Sequence, residues 1–257
     1  MINSTQELTR RIIANEPCGF IKYGDGEYYA AIQLPGHNID RTPYSPLLGA
    51  KMIESFKYMS TMPQLMLGAW HDPLKADYWN SFSGAPPNWV NYHTVIIDNL
   101  EDPDKMPLYK AIKESRRYKI YVANAEMKKA NYLLNNNAHI VVHPSNWFDM
   151  DYENVLAAVC TTISKASTGA STGASTGAST GASTGAMLLT SAGMGAKPLI
   201  ADVLRQYPET IVIDIGSALD TICTKRDTRG FGHVHGIYHD QLCDYLRPIV
   251  PENWDKL

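Results

Sequence analysis

The sequence predicts an α/β protein with a mainly parallel sheet and helices on both of its faces. Three observations lead to this prediction. Short apolar runs typical of strands alternate with helical segments along most of the 257 residues. Glycines and polar residues directly follow several of these runs, which is where open parallel sheets bind ligands. The hydrophobic fraction is 44% and the charged fraction is 19%, as in ordinary globular proteins.

The predicted elements alternate from the beginning of the chain. Ser4 and Glu7 have the spacing of a capping box, which predicts a first helix that ends before Pro17. The remaining predicted elements are, in chain order, a strand at 19–23, helices at 28–32 and 47–59, strands at 64–70 and 94–98, a helix at 108–115, a strand at 118–123, a helix at 126–134, a strand at 139–142, a helix at 152–164, a strand at 187–192, a helix at 197–206 and a strand at 210–215.

One segment departs from this pattern. Residues 166–185 are five copies of Ala-Ser-Thr-Gly, a composition that neither favours a helix nor fills a core. We expect an exposed, flexible loop insertion within a single domain that spans 1–257. A tract that carries modifications or binds a partner is the alternative.

Composition also excludes several classes of protein. Lys and Arg number 23 and Asp and Glu 26, so the formal net charge is −3 and a nucleic-acid-binding basic arm is excluded. No run of ~18 apolar residues is present, so we expect no membrane span. The polar first residues and the four cysteines, which form no C-x-x-C pair, favour a cytoplasmic protein with reduced thiols.

The most distinctive segment reads Lys-Tyr-Gly-Asp-Gly-Glu and lies between a predicted strand and a predicted helix. Its carboxylates, Asp25 and Glu27, flank a glycine, and a tight turn would let both approach one cation. Paired carboxylates suit Mg²⁺ or Mn²⁺, which also binds substrate phosphates. A solvated acidic turn is the alternative, because the D-x-E pattern is short. The neighbours expected to contact a ligand bound at this turn are Lys22, Tyr23, Gly24 and Gly26.

A second glycine-containing turn lies between a later strand and helix. Gly193 and Gly195 let the backbone approach a phosphate, and the start of the following helix favours an anion. Asp214 ends the next strand, 21 residues after Gly193, a spacing similar to that of the dinucleotide-binding fingerprint. Pro198 breaks that fingerprint. A nucleotide site, an NAD site and a packing turn therefore all stay open.

Polar residues follow the last predicted strand as well. Ser217 is a candidate for bonding a phosphate or a hydroxyl, and Asp220 for approaching a metal or a sugar. A turn cap is the alternative for both residues.

A basic run, Arg-Asp-Thr-Arg-Gly-Phe-Gly-His-Val-His, occupies 226–235. We expect Arg229 and Lys197 to clamp a diphosphate. His233 is a candidate metal ligand, whereas the alternating spacing favours a structural role for His235.

Two further sets complete the candidate site. Asp72 and Asp220 are the candidates for a general base that accepts a proton from a substrate hydroxyl. The residues expected to bind that substrate are Asn38, Asp40 and His71.

Several segments together resemble the GT-D type of nucleotide-sugar glycosyltransferases. The sequence FIKYGDGEY at 20–28 resembles the signature R-F-G-D-G-E, and 36–47 is similar to the loop that follows it. Residues 187–204 and 211–220 resemble the nucleotide-binding half near the C-terminus. The resemblance covers most of the chain outside the Ala-Ser-Thr-Gly tract and is weakest between 59 and 115.

The resemblance implies a Rossmann-like GT-D fold with a UDP-type donor and a divalent cation, Mn²⁺ or Mg²⁺. Asp25 and Glu27 would then form the metal and diphosphate site. The chain departs from the family in two places. Lys22 and Tyr23 stand where the signature has Arg-Phe, and Ser217 stands where some members have a histidine, so Asp220 or His233 would replace that ligand.

The interpretation that follows is a metal-dependent glycosyltransferase that moves a sugar from a nucleoside diphosphate donor to a glycan or other hydroxyl acceptor, with inversion. An NAD(P)-linked oxidoreductase that uses Gly193, Gly195 and Asp214 is one alternative. A non-catalytic nucleotide-sugar-binding protein is the other.

Overall fold

The computed structural model describes residues 3–69, 72–167, 185–230, 236–252 and 254. In this part of the chain seven strands form one sheet in the order β3-β2-β1-β7-β6-β4-β5, and every neighbouring pair is parallel. The strands are β1 (Gly19–Tyr23), β2 (Leu65–Ala69), β3 (Trp89–Asn91), β4 (Tyr118–Ala123), β5 (Ala138–Val141), β6 (Ala186–Ser191) and β7 (Ile211–Asp214).

Helices cover both faces of this sheet. They are α1 (Ser4–Ile13), α2 (Asp25–Ala31), α3 (Pro46–Met59), α4 (Pro73–Asn80), α5 (Lys105–Glu114), α6 (Asn131–Leu134), α7 (Trp147–Ser167), α8 (Ala196–Gln206), α9 (Asp220–Thr224) and α10 (His239–Leu246). Short 3₁₀ turns lie at Tyr92–Val95, Ala125–Ala130 and Arg247–Ile249. The predicted fold class, a Rossmann-like α/β protein with a parallel sheet, is confirmed.

The core consists of two apolar layers, one on each face of the sheet. All five residues of β1 are buried, as expected for a parallel strand between two helical layers. Phe20 packs into the layer with Leu8 of α1 and Leu108 of α5. Ile21, the next residue, packs into the opposite layer with Met52 of α3. The alternation of side chains along β1 thus connects the two layers.

The strand predicted at 94–98 is wrong. The strand in this region is β3, and the chain then turns because the Asn91 side chain accepts a hydrogen bond from the His93 amide at 2.8 Å. Val95 is buried without strand pairing, and its carbonyl accepts a hydrogen bond from Tyr109 at 2.7 Å. An apolar, β-branched run can therefore be buried under a helix as well as within a sheet.

The capping box predicted at Ser4 and Glu7 is wrong as well. The residue that caps α1 is Asn3, whose side chain accepts a hydrogen bond from the Gln6 amide at 2.8 Å. Ser4 instead bonds Thr94 through its hydroxyl at 2.6 Å. The predicted helix at 126–134 is also replaced, mostly by a 3₁₀ turn that precedes α6.

The Ala-Ser-Thr-Gly tract connects α7 and β6. Its first two residues end α7, and Gly185 precedes β6 in a left-handed conformation with φ of 77°. Residues 168–184, and with them most of the predicted loop insertion at 166–185, lie outside the described part of the chain. No helix among the described residues combines the length and the apolar character needed to cross a lipid bilayer.

Strand order places the candidate site. The chain moves from β1 to β2 and β3 on one side, whereas β7, β6, β4 and β5 lie on the other side of β1. Open α/β sheets bind ligands where the strand order reverses, beyond the carboxyl ends of the strands. The segments after β1, β6 and β7 all lie at that edge, so the three predicted turns are brought together.

Candidate functional site

Glu27 connects the turn after β1 to α8. Its Oε2 accepts a hydrogen bond from the Gly24 amide at 2.8 Å, and its Oε1 contacts Lys197 Nζ at 2.6 Å. The side chain is nearly completely buried. An acidic residue in the first turn satisfies a free amide at the start of the helix, which explains why α2 begins at Asp25 rather than at the predicted residue 28.

Lys197 joins this carboxylate to a second one. Its Nζ also contacts Asp214 Oδ2 at 3.0 Å, at the end of β7. Asp214 in turn accepts a hydrogen bond from the Lys22 amide at 3.2 Å. The turns after β1, β6 and β7 are therefore connected by one buried set of charges, which we call the buried charge network: Lys22, Glu27, Lys197 and Asp214.

The Lys22 ammonium completes the buried charge network. Its Nζ donates to the Ile215 carbonyl at 2.7 Å and lies 5.5 Å from the centroid of the Tyr92 ring. Gly216 follows with φ of 54°, and a Cβ there would collide with this ammonium. The close approach therefore requires glycine at 216.

Burial and pairing act in opposite directions on these groups. Burial lowers the pKa of Lys22 to about 8, although Asp214 opposes that shift. Burial also lowers the pKa of Lys197, but Asp214 and Glu27 together raise it above its ordinary value. For Glu27 burial raises the pKa, but Lys197 and the hydrogen bond from the Gly24 amide together lower it below its ordinary value. Two lysines and two carboxylates in their charged forms leave the buried charge network neutral, as buried charges require.

Asp25 lies on a different side of α2. It forms an ion pair with Lys75, and more than half of its side chain is exposed. Lys75 also contacts Asp72 Oδ2 at 3.2 Å and lies 5.9 and 5.6 Å from the ring centroids of Tyr28 and Tyr29. We call Asp25, Lys75 and Asp72 the exposed triad.

Asp72 has a structural function in the exposed triad. It caps α4, because its Oδ1 accepts a hydrogen bond from the Leu74 amide at 3.1 Å. The hydrogen bond from Lys75 lowers its pKa, which makes this carboxylate a weaker base than an ordinary aspartate.

The D-x-E carboxylates do not fit one shared divalent cation. Asp25 and Glu27 are separated by two helical positions, about 200° around the axis, and point to different partners. Both oxygens of Glu27 are already engaged, one by an ammonium group that would repel a metal. Among the described residues, no three His, Cys, Asp or Glu side chains form a group suited to a metal. The predicted ligand His233 lies outside the described residues.

A hairpin at 36–44 covers the two glycine turns. The Asn38 side chain lies 3.0 to 3.2 Å from the position that a Cβ would take at Gly26. Asp40 Oδ2 lies 2.7 Å from the corresponding position at Gly193, which has φ of 63°. Asn38 and Asp40 thus contact the glycines predicted to bind the donor. The predicted acceptor residue His71 lies outside the described part of the chain.

Asp220 is the first residue of α9, in the segment that follows β7. Burial raises its pKa, while a hydrogen bond from Thr228 and the charges of Arg229 and Lys22 lower it in part. The charge of Arg229 also acts on the buried Tyr92. Ser217 is half-buried in the preceding turn, where its carbonyl accepts a hydrogen bond from the Asp220 amide at 3.2 Å.

The structure places two predicted donor-binding residues in the core. The Tyr23 ring lies 4.9 Å from Trp79 and 5.2 Å from Phe56, and its hydroxyl is buried with no hydrogen-bond partner among the described residues. Gly195 packs against Trp147, whose Cζ2 lies 2.7 Å from the position that a Cβ would take at Gly195. Tyr23 therefore cannot contact a ligand in this conformation, and Gly195 serves packing rather than close approach to a phosphate.

Two residues at the site were not predicted from the sequence. Lys75 lies three residues after Asp72, a helical spacing that would have indicated the pair. Tyr92 lies in a 3₁₀ turn, and its hydroxyl is 3.1 Å from the Cβ position of Gly24. No local sequence pattern indicates Tyr92 as a site residue, because only the pairing of the strands brings the end of β3 close to the turn after β1.

Comparisons with known proteins agree with the fold. A solved structure described as the selenomethionine-substituted domain of unknown function 1792 (DUF1792) is similar, with a TM-score of 0.54 and 16% sequence identity. The match covers 82% of this chain and 76% of that one. No family model matches the sequence, and no curated protein matches it. At this identity the likeness concerns the fold alone.

Proposed function

We propose that the chain is a glycosyltransferase that transfers a sugar from a nucleoside diphosphate donor, with UDP as the expected nucleotide, to a hydroxyl group of a glycan or glycoconjugate. One observation carries the proposal. The buried charge network joins the three turns that the sequence relates to a nucleotide-sugar site, at the edge where parallel sheets bind ligands. The resemblance of 20–28 and 211–220 to the GT-D type supports the same reaction.

Direct displacement at the anomeric carbon needs a base for the acceptor hydroxyl. Asp220 suits this function better than Asp72, because its pKa is raised by burial whereas that of Asp72 is lowered by Lys75. A carboxylate that binds its proton more tightly removes one from an alcohol more readily. The C–O bond to the acceptor forms as the bond to the diphosphate breaks, so the anomeric configuration inverts.

The leaving diphosphate needs positive charge near it. Arg229 is exposed, its charge acts on Asp220, and it is the residue we assign to this function. Lys197 is held by two carboxylates inside the protein, so its contribution is to fix the turns in position. No step is assigned to a metal, because Asp25 and Glu27 point to different partners and do not converge on one cation.

A donor screen tests the proposal. The protein would be incubated with a set of UDP, GDP, TDP and CMP sugars, in Mn²⁺ and in EDTA, and release of the nucleotide measured. We expect release from at least one UDP sugar and none from the Arg229→Ala variant at the same substrate concentration. In a separate thermal unfolding measurement, a rise in the melting temperature with NAD and none with UDP would contradict the proposal. If the protein binds UDP sugars but releases no nucleotide with any of several acceptors, it is a nucleotide-sugar-binding protein and not an enzyme.

A further inference from the structure

Five aromatic side chains form a row beside the exposed triad. In order of contact they are Tyr44, Tyr29, Tyr28, Tyr78 and Phe82, with neighbouring ring centroids 6.1, 5.7, 5.1 and 5.1 Å apart. Within the described residues, rings that are not neighbours in this order form no ring contact with each other. The rings therefore form an extended line and not a cluster, and we call this line the aromatic row.

The aromatic row has a rigid support and keeps part of every ring exposed. All five of its residues are partly buried and partly exposed. Tyr78 packs against Trp79 with 5.4 Å between the ring centroids, and Trp79 is buried in the same apolar layer as Phe56. Neighbouring rings of the row meet at 59–87°, so none is stacked flat on the next. A ligand would therefore meet aromatic surface that is already held in position.

The four tyrosine hydroxyls of the aromatic row form no hydrogen bond to another described residue. Burial raises the pKa of Tyr44 and that of Tyr78, so both hydroxyls keep their protons at neutral pH. A protonated phenol can donate one hydrogen bond and accept others. Tyrosines that combine a partly exposed ring with an unused hydroxyl are typical of binding surfaces.

The charges that border the aromatic row balance each other. Lys75 lies over the middle of the row and is paired with Asp25 and Asp72 in the exposed triad. At the far end the Lys57 ammonium lies 5.5 Å from the centroid of the Phe82 ring. Two cations and two carboxylates give no net charge. Such a surface offers no attraction for a polyanion such as a nucleic acid.

The spacing of the rings indicates the size of the ligand. Neighbouring centroids are 5.1 to 6.1 Å apart, which is close to the length that one pyranose unit adds to a glycan chain. The row also crosses three parts of the fold, since Tyr44 precedes α3, Tyr28 lies on α2 and Tyr78 lies on α4. A single sugar would cover one or two rings and leave the others in water.

We propose that the aromatic row binds the acceptor, and that this acceptor is an uncharged oligosaccharide of several units. The C–H faces of the sugar rings pack on the aromatic rings, and the sugar hydroxyls exchange hydrogen bonds with the tyrosine hydroxyls. The inference rests on the proposed function in so far as it makes the bound chain the acceptor. Because Tyr28 and Tyr29 directly follow the D-x-E segment, the bound chain passes the turn after β1.

Calorimetric titration without any nucleotide tests the aromatic row by itself. The probes are oligomers of glucose, galactose, mannose and N-acetylglucosamine, each from one to four units long. We expect at least one series to bind the wild type, with an affinity that rises about tenfold or more from one unit to three. Tyr28→Ala and Tyr78→Ala should each weaken binding of the longest oligomer about tenfold. Tyr28→Phe keeps the ring and loses only the hydroxyl, so it should weaken binding about threefold.

The matched control is Tyr132→Ala, which removes a half-buried tyrosine on α6 that packs against the other apolar layer. It should bind the oligomers as the wild type does, and circular dichroism should show that every variant is folded.

Three results would overturn the proposed acceptor surface. They are a wild type that binds none of the oligomers, an affinity that does not depend on oligomer length, and equal binding by the wild type and both alanine variants. A wild type that is dimeric in analytical ultracentrifugation and becomes monomeric in Tyr28→Ala would also overturn it, because the row would then be a protein interface. In each case nucleotide release from a UDP sugar would leave the proposed function intact. Conversely, length-dependent binding without such release in the presence of the bound oligomer would overturn the proposed function and leave the row as a glycan-binding surface.

Discussion

The two carboxylates of the D-x-E segment lie two residues apart and in opposite surroundings. Glu27 is buried, and each of its oxygens has a partner within 3 Å. Asp25 is largely exposed and shares Lys75 with Asp72. Helical geometry produces this difference, since residues i and i+2 point to different sides of α2. Neighbouring acids in a motif therefore need not act on the same ligand.

The energetic consequences of the two surroundings differ as well. Removing one member of the buried charge network leaves a charge without a partner in a medium that solvates it poorly. Removing one member of the exposed triad leaves a charge that water and salt can screen. The following variants test this difference in order of decreasing effect.

Glu27→Gln should show the largest effect. Lys197 loses one of its two carboxylates inside the protein, and we expect the free energy of unfolding to fall by about 3–5 kcal/mol. Urea unfolding followed by circular dichroism measures this loss. The matched control is Glu54→Gln, since Glu54 is half-exposed in its ion pair with Arg205; a loss of similar size in both variants would contradict the account.

Lys22 should make stability depend on pH. Its folded-state pKa is about 8, whereas an unfolded lysine has a pKa of about 10.4. Between these values the unfolded chain binds more protons, so the free energy of unfolding rises with pH in that window. Below pH 8 the folded protein carries the full cost of burying the charged Lys22 ammonium. Relative to Lys22→Met, the wild type should gain on the order of 2 kcal/mol between pH 7.5 and pH 10. If the free energies of unfolding of the two proteins changed with pH in parallel, burial would not lower the pKa of Lys22.

Gly216→Ala should be next in size. The residue has a left-handed φ, and its new Cβ would collide with the Lys22 ammonium, so we expect a loss of about 2 kcal/mol. Gly230→Ala is the control, because φ there is 71° and no atom of the described residues lies within 4 Å of its Cβ position. The control should lose about 1 kcal/mol from backbone strain alone. Equal losses, measured by urea unfolding, would mean that the ammonium is not held at Gly216.

Asp25→Asn should have the smallest effect. The exposed triad keeps the ion pair between Lys75 and Asp72, so we expect a change in unfolding free energy below about 1 kcal/mol. The difference should shrink further in 1 M salt. A large and salt-independent loss would place Asp25 in the same class as Glu27.

The fold was predictable to the extent that strands are both apolar and bounded by polar turns. β1, β4, β6 and β7 satisfy this condition, and their predicted positions agree with the structure within two residues. The run at 94–98 satisfies it as well but packs beneath α1 and α5 without pairing. Apolar sequence indicates burial, and only the partners available in three dimensions decide between strand and turn.

The site was predictable where it depends on strand ends. Glu27, Lys197 and Asp214 each follow or end a strand, and the parallel sheet brings them together. The position of the hairpin at 36–44 and the pairing of Lys75 with Asp25 depend on loop paths, about which local sequence says little. The direction of each side chain of the D-x-E pair was missed because α2 begins earlier than its apolar residues indicate.

The most direct test of the central claim compares the wild type with Asp220→Asn in nucleotide release from the best UDP sugar of the donor screen. We predict that the wild type turns over and that the variant loses about 10²–10⁴ in kcat. UDP affinity should stay within twofold of the wild-type value, because the lost group acts on the acceptor hydroxyl. Full activity in Asp220→Asn, or no release by the wild type from any nucleotide sugar, would contradict the account.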